Sequence, residues 1–282
     1  MDAANIINIV CCPSCRRTLE GTNELVCCSC GQVYPTYDGI LDMLTDDLLT
    51  RYADRIQEWR HKLALYERWW REDRNNPLKT NGMSKPWQPS PILIDNYLRL
   101  CKVNAGKERL LDVGCGEGHR EGQFSDKTYL GVDPLVLKQS YSFPFFRGLA
   151  EFLPFVDESF DIVLSIEVFD HLLDPERALV EAVRVLAHGG ALFIFVGSKD
   201  SRKKSPTTSA CQGLYATGED DVHLHHFSEH FFQNALAGQF KRVEVIHAGG
   251  YLAVWGWERD YGGGFAAPLR KKEVGAEVLR MP

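Results

Sequence analysis

Short apolar runs alternate with helical and polar segments through the larger, C-terminal part of the chain. The runs with the length of buried strands are Arg109–Val113, Tyr129–Val132, Phe160–Ile166 and Ala191–Val196. A helix is predicted over Pro175–Leu186, because Asp174 is a good N-cap, Pro175 suits the first helical position and Gly189 follows the end. This alternation predicts an α/β fold in which helices cover a parallel sheet.

The last part of the chain adds further periodic elements. A polar stretch, 197–221, predicts a loop, and a helix is expected around Ser228–Leu236. Two strands, Arg242–His247 and Tyr251–Glu258, are then joined by the turn sequence Ala248-Gly249-Gly250.

An amphipathic segment precedes the α/β region. Residues 46–75 contain no Gly or Pro, and their apolar residues recur every three or four positions, which is typical of one helix face. These residues are Leu48, Tyr52, Ile56, Trp59, Leu63, Tyr66 and Trp70. Asn75-Asn76-Pro77 ends the predicted helix, and the prolines between 76 and 91 indicate a linker. We therefore expect three parts, 1–45, 46–91 and 92–282.

Composition and charge restrict the class of protein. With 282 residues, 44% hydrophobic and 25% charged, the chain has a globular composition. A membrane span would need a run of about 18 or more apolar residues, which the sequence lacks. The first ten residues do not resemble a secretory signal, so we expect a cytoplasmic protein. The formal net charge of −6 argues mildly against a broad nucleic-acid interface.

The nine cysteines are concentrated near the start of the chain. Cys12-x-x-Cys15 and Cys27-x-x-Cys30 form two pairs, and two such thiolate knuckles complete a tetrahedral sulfur site that suits Zn²⁺. Four thiolates leave no open position, so this metal would be structural. The alternative is a metal-free small domain with buried thiols. Cys11 and Cys28 do not fit the spacing and are not expected to bind metal.

The residues around these cysteines also carry a resemblance to a family. They include Cys12-Pro13-x-Cys15, Leu25-x-Cys27-x-x-Cys30-Gly31, Tyr34-Pro35 and Asp38-Gly39-Ile40-Leu41-x-Met43-Leu44. This pattern resembles the small zinc-ribbon proteins that bind and activate RNA and protein methyltransferases. The resemblance implies a ribbon that packs on a methyltransferase, here within the same chain.

A glycine-rich turn follows the first predicted strand of the α/β region. Its sequence is Asp112-Val113-Gly114-Cys115-Gly116-Glu117-Gly118, and Asp133 ends the next strand. A dinucleotide site requires G-x-G-x-x-G, whereas the third glycine here comes one position early. Carboxylates beside this turn would repel a pyrophosphate but attract the sulfonium and ammonium groups of S-adenosylmethionine. The charge pattern therefore favours S-adenosylmethionine.

Downstream segments extend the similarity. They are Gly148-Leu-Ala-Glu-Phe-Leu-Pro-Phe155, Asp157-Glu-Ser-Phe-Asp-Ile-Val-Leu164, Asp170-His171-Leu-Leu-Asp174-Pro175 and Arg184-Val-Leu-Ala-His-Gly-Gly-Ala-Leu192. Together with the glycine-rich turn they resemble the class I S-adenosylmethionine-dependent methyltransferases of the type-11 group. The resemblance implies a Rossmann-like sheet that is mostly parallel with an antiparallel last strand, joined here to a small N-terminal zinc ribbon.

The resemblance also implies roles for the matching positions. The expected cofactor-binding residues are Asp112, Gly114, Gly116, Gly118, Asp133, Pro134, Ala150, Glu151, Ser165 and Ile166. Asp133 would bind the ribose hydroxyls, and the backbone N–H of Ala150 would face adenine. Leu149 stands where the family often has Asp, so Glu151 or the backbone would have to replace that contact.

Histidines provide candidates for the acceptor end of the site. His171 lies just past a predicted strand, where it could act as a base or orient the acceptor, or it could only shape the pocket. For His223-x-His225-His226 a structural role is favoured over metal ligation with Glu219, Asp220 or Asp221.

Tyr66 is expected in the core, whereas Trp69, off the main apolar stripe, is the likelier of the adjacent tryptophans to face a pocket.

Three functions remain open from the sequence. The first is methyl transfer from S-adenosylmethionine to a small metabolite or glycan-type acceptor, which the acidic net charge favours. The second is methylation of tRNA or rRNA, because residues 51–79 hold eight basic and five acidic residues and an rRNA guanine methyltransferase also has an N-terminal ribbon. The third is a binding or scaffold protein with an inactive methyltransferase fold. The oligomeric state is not predicted.

Overall fold

A computed structural model describes residues 7–22, 24–75, 109–198, 223–248 and 251–260. The predicted linker, the start of the third predicted part and most of the predicted loop 197–221 lie outside these ranges. The strands are β1 (Leu19–Glu20), β2 (Glu24–Cys27), β3 (Val33–Tyr37), β4 (Ile40–Asp42), β5 (Arg109–Val113), β6 (Thr128–Asp133), β7 (Phe145–Arg147), β8 (Phe160–Ile166), β9 (Leu186–Gly197), β10 (Phe240–Ala248) and β11 (Tyr251–Arg259).

The strands form one sheet in the order β1-β2-β3-β4-β7-β6-β5-β8-β9-β11-β10. Strands β7, β6, β5, β8 and β9 pair in parallel, and β11 lies antiparallel between β9 and β10. The predicted runs at β5 and β8 are confirmed to the residue. Their buried side chains explain the continuous apolar sequence, since both faces of a parallel sheet are covered. The predicted Rossmann-like sheet with an antiparallel last strand is therefore confirmed.

The helices are α1 (Asp46–Thr50), α2 (Ile56–Asn75), α3 (Pro175–Val185) and α4 (Glu229–Leu236). Asp174 caps α3 as predicted, because its side chain accepts the N–H of Arg177 at 3.0 Å. The helix ends one residue earlier than predicted, and β9 begins directly at Leu186. No helix in the described ranges has the length and apolar character to cross a bilayer.

The prediction of one helix over 46–75 was wrong, because the chain leaves the helical path between α1 and α2. Thr45 caps α1 by accepting the N–H of Leu48. Beyond α1, the ring of Tyr52 packs against Phe152 at 6.0 Å, and Arg55 donates to the carbonyl of Leu173 at 2.6 Å. These contacts stabilise the interruption between α1 and α2. Apolar residues of both helices still pack in one cluster.

The cysteine-rich segment with β1–β4, residues 7–44 and called the ribbon below, extends the main sheet. Strand β4 pairs in parallel with β7, with Leu41 opposite Phe146 and Asp42 opposite Arg147. Arg147 also binds the Asp42 carboxylate at 2.7 Å. The apolar-run analysis had not identified β7, which is only three residues long.

A buried ion network also joins the ribbon to the core. Arg184 is 1% exposed and bonds to Glu181 on its own helix and to Asp157. Two further Arg184 hydrogen bonds go to the carbonyl oxygens of Leu153 and Phe155. From the ribbon, Arg16 reaches Glu181 at 2.6 Å. The buried carboxylate of Glu181 therefore binds cations from both parts of the chain.

This network predicts a large loss of stability for Arg184→Met. The substitution leaves Glu181 buried without its main partner, so the free energy of unfolding should fall by about 3–5 kcal/mol in urea denaturation. Arg16→Ala is the control, because the Arg16 side chain is 46% exposed and its removal should cost about 1 kcal/mol or less. A loss for Arg184→Met no larger than that of the control would contradict this role.

Candidate functional site

A cavity lies at the carboxyl ends of β5, β6 and β8, where ligands bind in open α/β sheets. Predicted site residues in its wall are Gly114, Gly116, Asp133, Pro134, Ala150, Glu151 and His171. The remaining wall residues include Trp59, Leu63, Tyr66, Leu149, Glu167 and Val168. Asp112, Gly118, Ser165 and Ile166 are not among the lining residues.

The glycine-rich turn packs too closely for side chains. Gly114 has φ +75°, and a Cβ there would lie 2.2 Å from Cγ2 of Val168. Gly118 also has φ +75°, but its missing Cβ would meet the ring of Phe143 at 2.1 Å. Gly114 thus lets the backbone approach the cavity, whereas Gly118 allows packing behind the turn.

Asp133 ties the turn to the end of β6. One carboxylate oxygen accepts the N–H of Gly116 at 2.9 Å, and the other accepts that of Leu135 at 2.8 Å. Burial raises the pKa of Asp133 to about 6, although the two N–H groups oppose this and the charge of Asp112 adds to it. The carboxylate is therefore charged at neutral pH and stands at the cavity wall.

Asp112 lies behind the turn and is fully buried. The hydroxyl of Tyr129 donates to Oδ2, while Oδ1 has no hydrogen-bond partner within the described ranges. Burial raises the pKa of Asp112, and the positive charge of Arg120 lowers it. Arg120, which the sequence analysis missed, also acts electrostatically on Tyr66 and Glu167. Arg120 thus adds positive charge near the acidic groups of the site, and Lys62 contributes a second cation in the cavity wall.

The end of β8 contributes a carboxylate that the sequence analysis overlooked. Ser165 and Ile166 are buried in the strand, whereas Glu167, the next residue, lines the cavity. Glu167 has φ +62°, which is uncommon for a residue with a side chain, and strained backbone often marks a functional site. Its Oε1 is buried without a hydrogen-bond partner in the described part of the chain, and burial raises the Glu167 pKa. Glu167 could have been identified from the sequence as a charged residue directly after a buried apolar run.

Glu151 is engaged by the protein itself. Its Oε1 accepts the N–H of Leu173 at 2.7 Å and that of Asp174 at 3.2 Å. Burial raises the pKa of Glu151 to about 7, and these N–H groups oppose the shift. Its carboxylate thus orients the start of α3, and Ala150 presents backbone to the cavity beside the buried side chain of Leu149.

Helix α2 forms the outer wall of the cavity through Trp59, Leu63 and Tyr66. The expectation that Tyr66 serves only the core was wrong, because its ring lies 5.1 Å from that of His171. The side chain of Trp69 lies outside the described part of the structure. A helical stripe cannot by itself distinguish a core face from a pocket wall, since both are apolar.

His171, which lines the cavity, lies beside His223. Asp170 lies between them, with Oδ1 3.8 Å from His171 Nε2 and Oδ2 3.5 Å from His223 Nε2. The two imidazole rings are 4.7 Å apart. The carboxylate beside these histidines is thus that of Asp170, whereas Glu219, Asp220 and Asp221 lie outside the described residues.

The neighbouring histidines differ in role. His225 Nε2 lies 2.8 Å from the carbonyl of Leu172 and 3.3 Å from Arg55. Burial and the charge of Arg55 lower the His225 pKa to about 4, so this imidazole is neutral at pH 7. His225 thus fastens its segment to the core, as the favoured structural interpretation predicts, whereas His226 is exposed.

The four predicted metal-binding cysteines form one cluster. Sγ of Cys12 lies 3.6 Å from that of Cys30, Sγ of Cys15 lies 3.4 Å from that of Cys27, and all four sulfurs are within 4.8 Å of one another. Sulfurs at about 2.3 Å from a tetrahedral Zn²⁺ would be roughly 3.8 Å apart, so the spacing fits zinc. Cys11 and Cys28 lie outside this cluster.

Comparisons with known proteins match part of the chain to methyltransferases. Residues 111–194 match the model of the Methyltransf_11 family, described as a methyltransferase domain. The chain is 35% identical over 116 residues to the phthiotriol/phenolphthiotriol dimycocerosates methyltransferase of Mycobacterium tuberculosis, covering 36% of this chain and 43% of the relative. It is 30% identical over 148 residues to the ubiquinone biosynthesis O-methyltransferase of Pseudomonas fluorescens, covering 46% of this chain and 58% of the relative. The chain thus spans about half the length of these curated relatives.

Among solved structures, a chain in the complex between the Haloferax volcanii Trm112 methyltransferase activator and a methyltransferase aligns with a TM-score of 0.43 and 19% identity. The alignment covers 60% of this chain and 92% of that one. At this score the fold assignment rests on the strand order itself. Together, the family match and the named relatives show that residues 111–194 of the chain are similar to methyltransferase domains.

Proposed function

We propose that the chain binds S-adenosylmethionine in the cavity and transfers its methyl group to a small-molecule acceptor. The observation that carries the proposal is the Gly114 turn facing Asp133 across the carboxyl ends of β5 and β6. There is no room for a Cβ at Gly114. The charged carboxylate of Asp133 lies beside the turn, where it can accept hydrogen bonds from the hydroxyls of a ribose. Glu167 in the cavity wall favours a cationic ligand over a pyrophosphate, because its buried Oε1 accepts no hydrogen bond from the residues that the structure describes.

Each predicted cofactor residue receives a role in this proposal. Asp133 accepts hydrogen bonds from the ribose hydroxyls, and Ala150 offers its backbone N–H to adenine, because Glu151 is already engaged. Pro134 and Leu149 flank the ring, and Gly114 and Gly116 approach the methionine part. Four residues support the site from behind the cavity wall: Asp112, Gly118, Ser165 and Ile166. Bound there, S-adenosylmethionine supplies an electrophilic methyl group for in-line displacement.

The cavity favours a small acceptor over RNA. It lies beneath α2, whose Trp59, Leu63 and Tyr66 give its wall an apolar character. The positive charge of α2 is also partly neutralised, since Arg71 pairs with Glu67 at 2.6 Å. The relatives named above are methyltransferases of a lipid and of ubiquinone biosynthesis, which agrees with this choice.

His171 is the protein group best placed to touch the acceptor. Its imidazole lines the cavity, and its ring lies 5.1 Å from that of Tyr66. We propose that His171 orients the acceptor, and most of the acceleration of methyl transfer comes from such positioning.

The ribbon is proposed to hold a structural Zn²⁺ through Cys12, Cys15, Cys27 and Cys30. The hydroxyl of Tyr34 lies 3.0 Å from Cys12 Sγ and would donate to the thiolate, as groups around structural zinc sites commonly do. Tyr34 is fully buried, so it also fixes the cluster to the ribbon core. The proposal assigns residues 1–45 to the ribbon, 46–91 to helix and linker, and 92–282 to the methyltransferase part.

Cofactor binding is the direct test. Isothermal titration with S-adenosylmethionine should give one site, and Asp133→Asn should raise Kd roughly 10- to 100-fold because a charge-assisted hydrogen bond is lost. Asp126→Asn, a change at an exposed carboxylate just before β6, should bind as the wild type does. No binding at millimolar cofactor would contradict the proposal.

Binding should also depend on pH through Asp133. Its pKa of about 6 means that the carboxylate becomes protonated as the pH falls through 6, and it then loses its capacity to accept both ribose hydroxyls. Affinity should therefore be constant above pH 7 and fall about tenfold per pH unit below 6. Titrations between pH 5 and 8 measure this. Asp133→Asn should flatten the profile, and an unchanged profile in that variant would exclude Asp133 as the cause.

The acceptor class can be tested without knowing the acceptor. A protein-free small-molecule extract should sustain release of S-adenosylhomocysteine, and ribonuclease treatment of the extract should leave the rate unchanged. Release supported only by the RNA fraction, abolished by ribonuclease and steeply dependent on salt, would instead establish RNA as the acceptor.

The zinc proposal has a matched pair of variants. Cys27→Ser should lower the zinc content by one equivalent per chain and reduce the melting temperature, because metal binding contributes to ribbon folding. Cys28→Ser, the adjacent exposed cysteine, should change neither. Metal analysis and thermal unfolding measure both effects. Equal zinc content in the two variants would exclude Cys27 as a ligand.

A further inference from the structure

A second group of metal-type ligands lies at the acceptor end of the cavity, away from the cysteines. Asp170 and His171 belong to the short 3-10 turn Phe169–His171 that follows β8. His223 comes from the segment that leads into α4. One ligand atom from each of the three residues lies within 4.8 Å of the other two.

The backbone holds this group together. The N–H of Leu224 donates to the Asp170 carbonyl at 2.6 Å, and that of His225 donates to the same oxygen at 3.1 Å. The His225 side chain adds its contact with the Leu172 carbonyl at 2.8 Å. The residue next to His223 is thus bonded directly to the turn that carries Asp170 and His171, so the three side chains are arranged in advance.

The distances match those of a coordination sphere. Nitrogen and oxygen ligands at about 2.0–2.2 Å from a tetrahedral metal ion are roughly 3.4 Å apart. Asp170 Oδ2 lies 3.5 Å from His223 Nε2, and Asp170 Oδ1 lies 3.8 Å from His171 Nε2. Small rotations of the side chains would bring all three onto one ion.

Two buried carboxylate oxygens also require a partner. Asp170 is 5% exposed, and its Oδ1 accepts no hydrogen bond from any residue that the structure describes. The same holds for Oε1 of Glu167, which lines the cavity nearby. Buried carboxylates without donors are costly, and a bound cation is one way to satisfy them.

We propose that Asp170, His171 and His223 bind a divalent transition-metal ion at the acceptor end of the cavity. Two imidazoles and one carboxylate suit ions such as Zn²⁺, Fe²⁺, Mn²⁺ or Co²⁺. Three protein ligands leave at least one position open, and His171 places that position beside the cavity. This inference rests on the proposed function, in which the acceptor would carry a hydroxyl or carboxylate oxygen that binds the ion. His171 would orient the acceptor by holding the ion.

Co²⁺ is a suitable probe because its spectrum distinguishes the two ligand sets. Full-length protein with zinc already in the ribbon is titrated with Co²⁺, and visible absorption is recorded. One added equivalent should give d–d bands without a thiolate-to-cobalt charge-transfer band. His171→Gln and His223→Gln should each weaken binding at least tenfold. His226→Gln, at an exposed histidine three residues from His223, should bind Co²⁺ as the wild type does.

Circular dichroism of every variant shows whether it is folded, and its affinity for S-adenosylmethionine separates the two proposals. Cofactor binding without Co²⁺ binding would overturn the metal site and leave the proposed function standing. Co²⁺ binding that His171→Gln and His223→Gln weaken would support the metal site even if no cofactor binds. Wild-type affinity for Co²⁺ in a folded His223→Gln variant, or a spectrum with the charge-transfer band alone, would overturn it.

Discussion

The parallel pairing of β4 with β7 is the constraint on which the arrangement of the chain depends. It makes the cysteine-rich segment an extension of the central sheet, and the N–H of Met43 continues the pairing by donating to the Arg147 carbonyl at 2.8 Å. Because α1 begins four residues after β4 ends, the pairing also determines where the following helices can lie. Helix α2 consequently reaches the cavity. The same strand pair therefore connects the ribbon to the site.

This connection explains why a short core can still enclose a site. Between β5 and β6 the described chain forms only a 3-10 turn, Glu121–Phe124, where many α/β units have a full helix. The outer wall is supplied by α2 instead, through Trp59 and Tyr66. The ribbon and the core also share the Arg184 network, because Arg16 and Arg184 both bind the carboxylate of Glu181.

The sequence predicted the features that depend on local patterns. The apolar runs identified β5 and β8, the Asp174-Pro175 pair identified the start of α3, and the cysteine spacing identified the cluster. Strand β7 was missed, because three residues are too few to show a period. The break before α2 was missed for a different reason, since contacts of Tyr52 and Arg55 with distant residues interrupt a continuous apolar stripe.

The site itself was only partly predictable. Gly114 and Asp133 follow from the turn and from the end of a strand, whereas the approach of His223 to Asp170 joins residues more than fifty positions apart. Sequence periodicity does not report such contacts. The role of Tyr66 was predicted wrongly, because helices that line a cavity and helices that pack in a core have the same pattern of apolar positions.

A crystal structure of the full chain with S-adenosylhomocysteine tests the account most directly. The account predicts the ribose hydroxyls on Asp133, adenine beside the backbone of Ala150 and the sulfur directed toward His171. It also predicts that Trp59 and Tyr66 of α2 remain over the ligand. Binding of the ligand elsewhere, or a cavity from which α2 is displaced, would contradict the account.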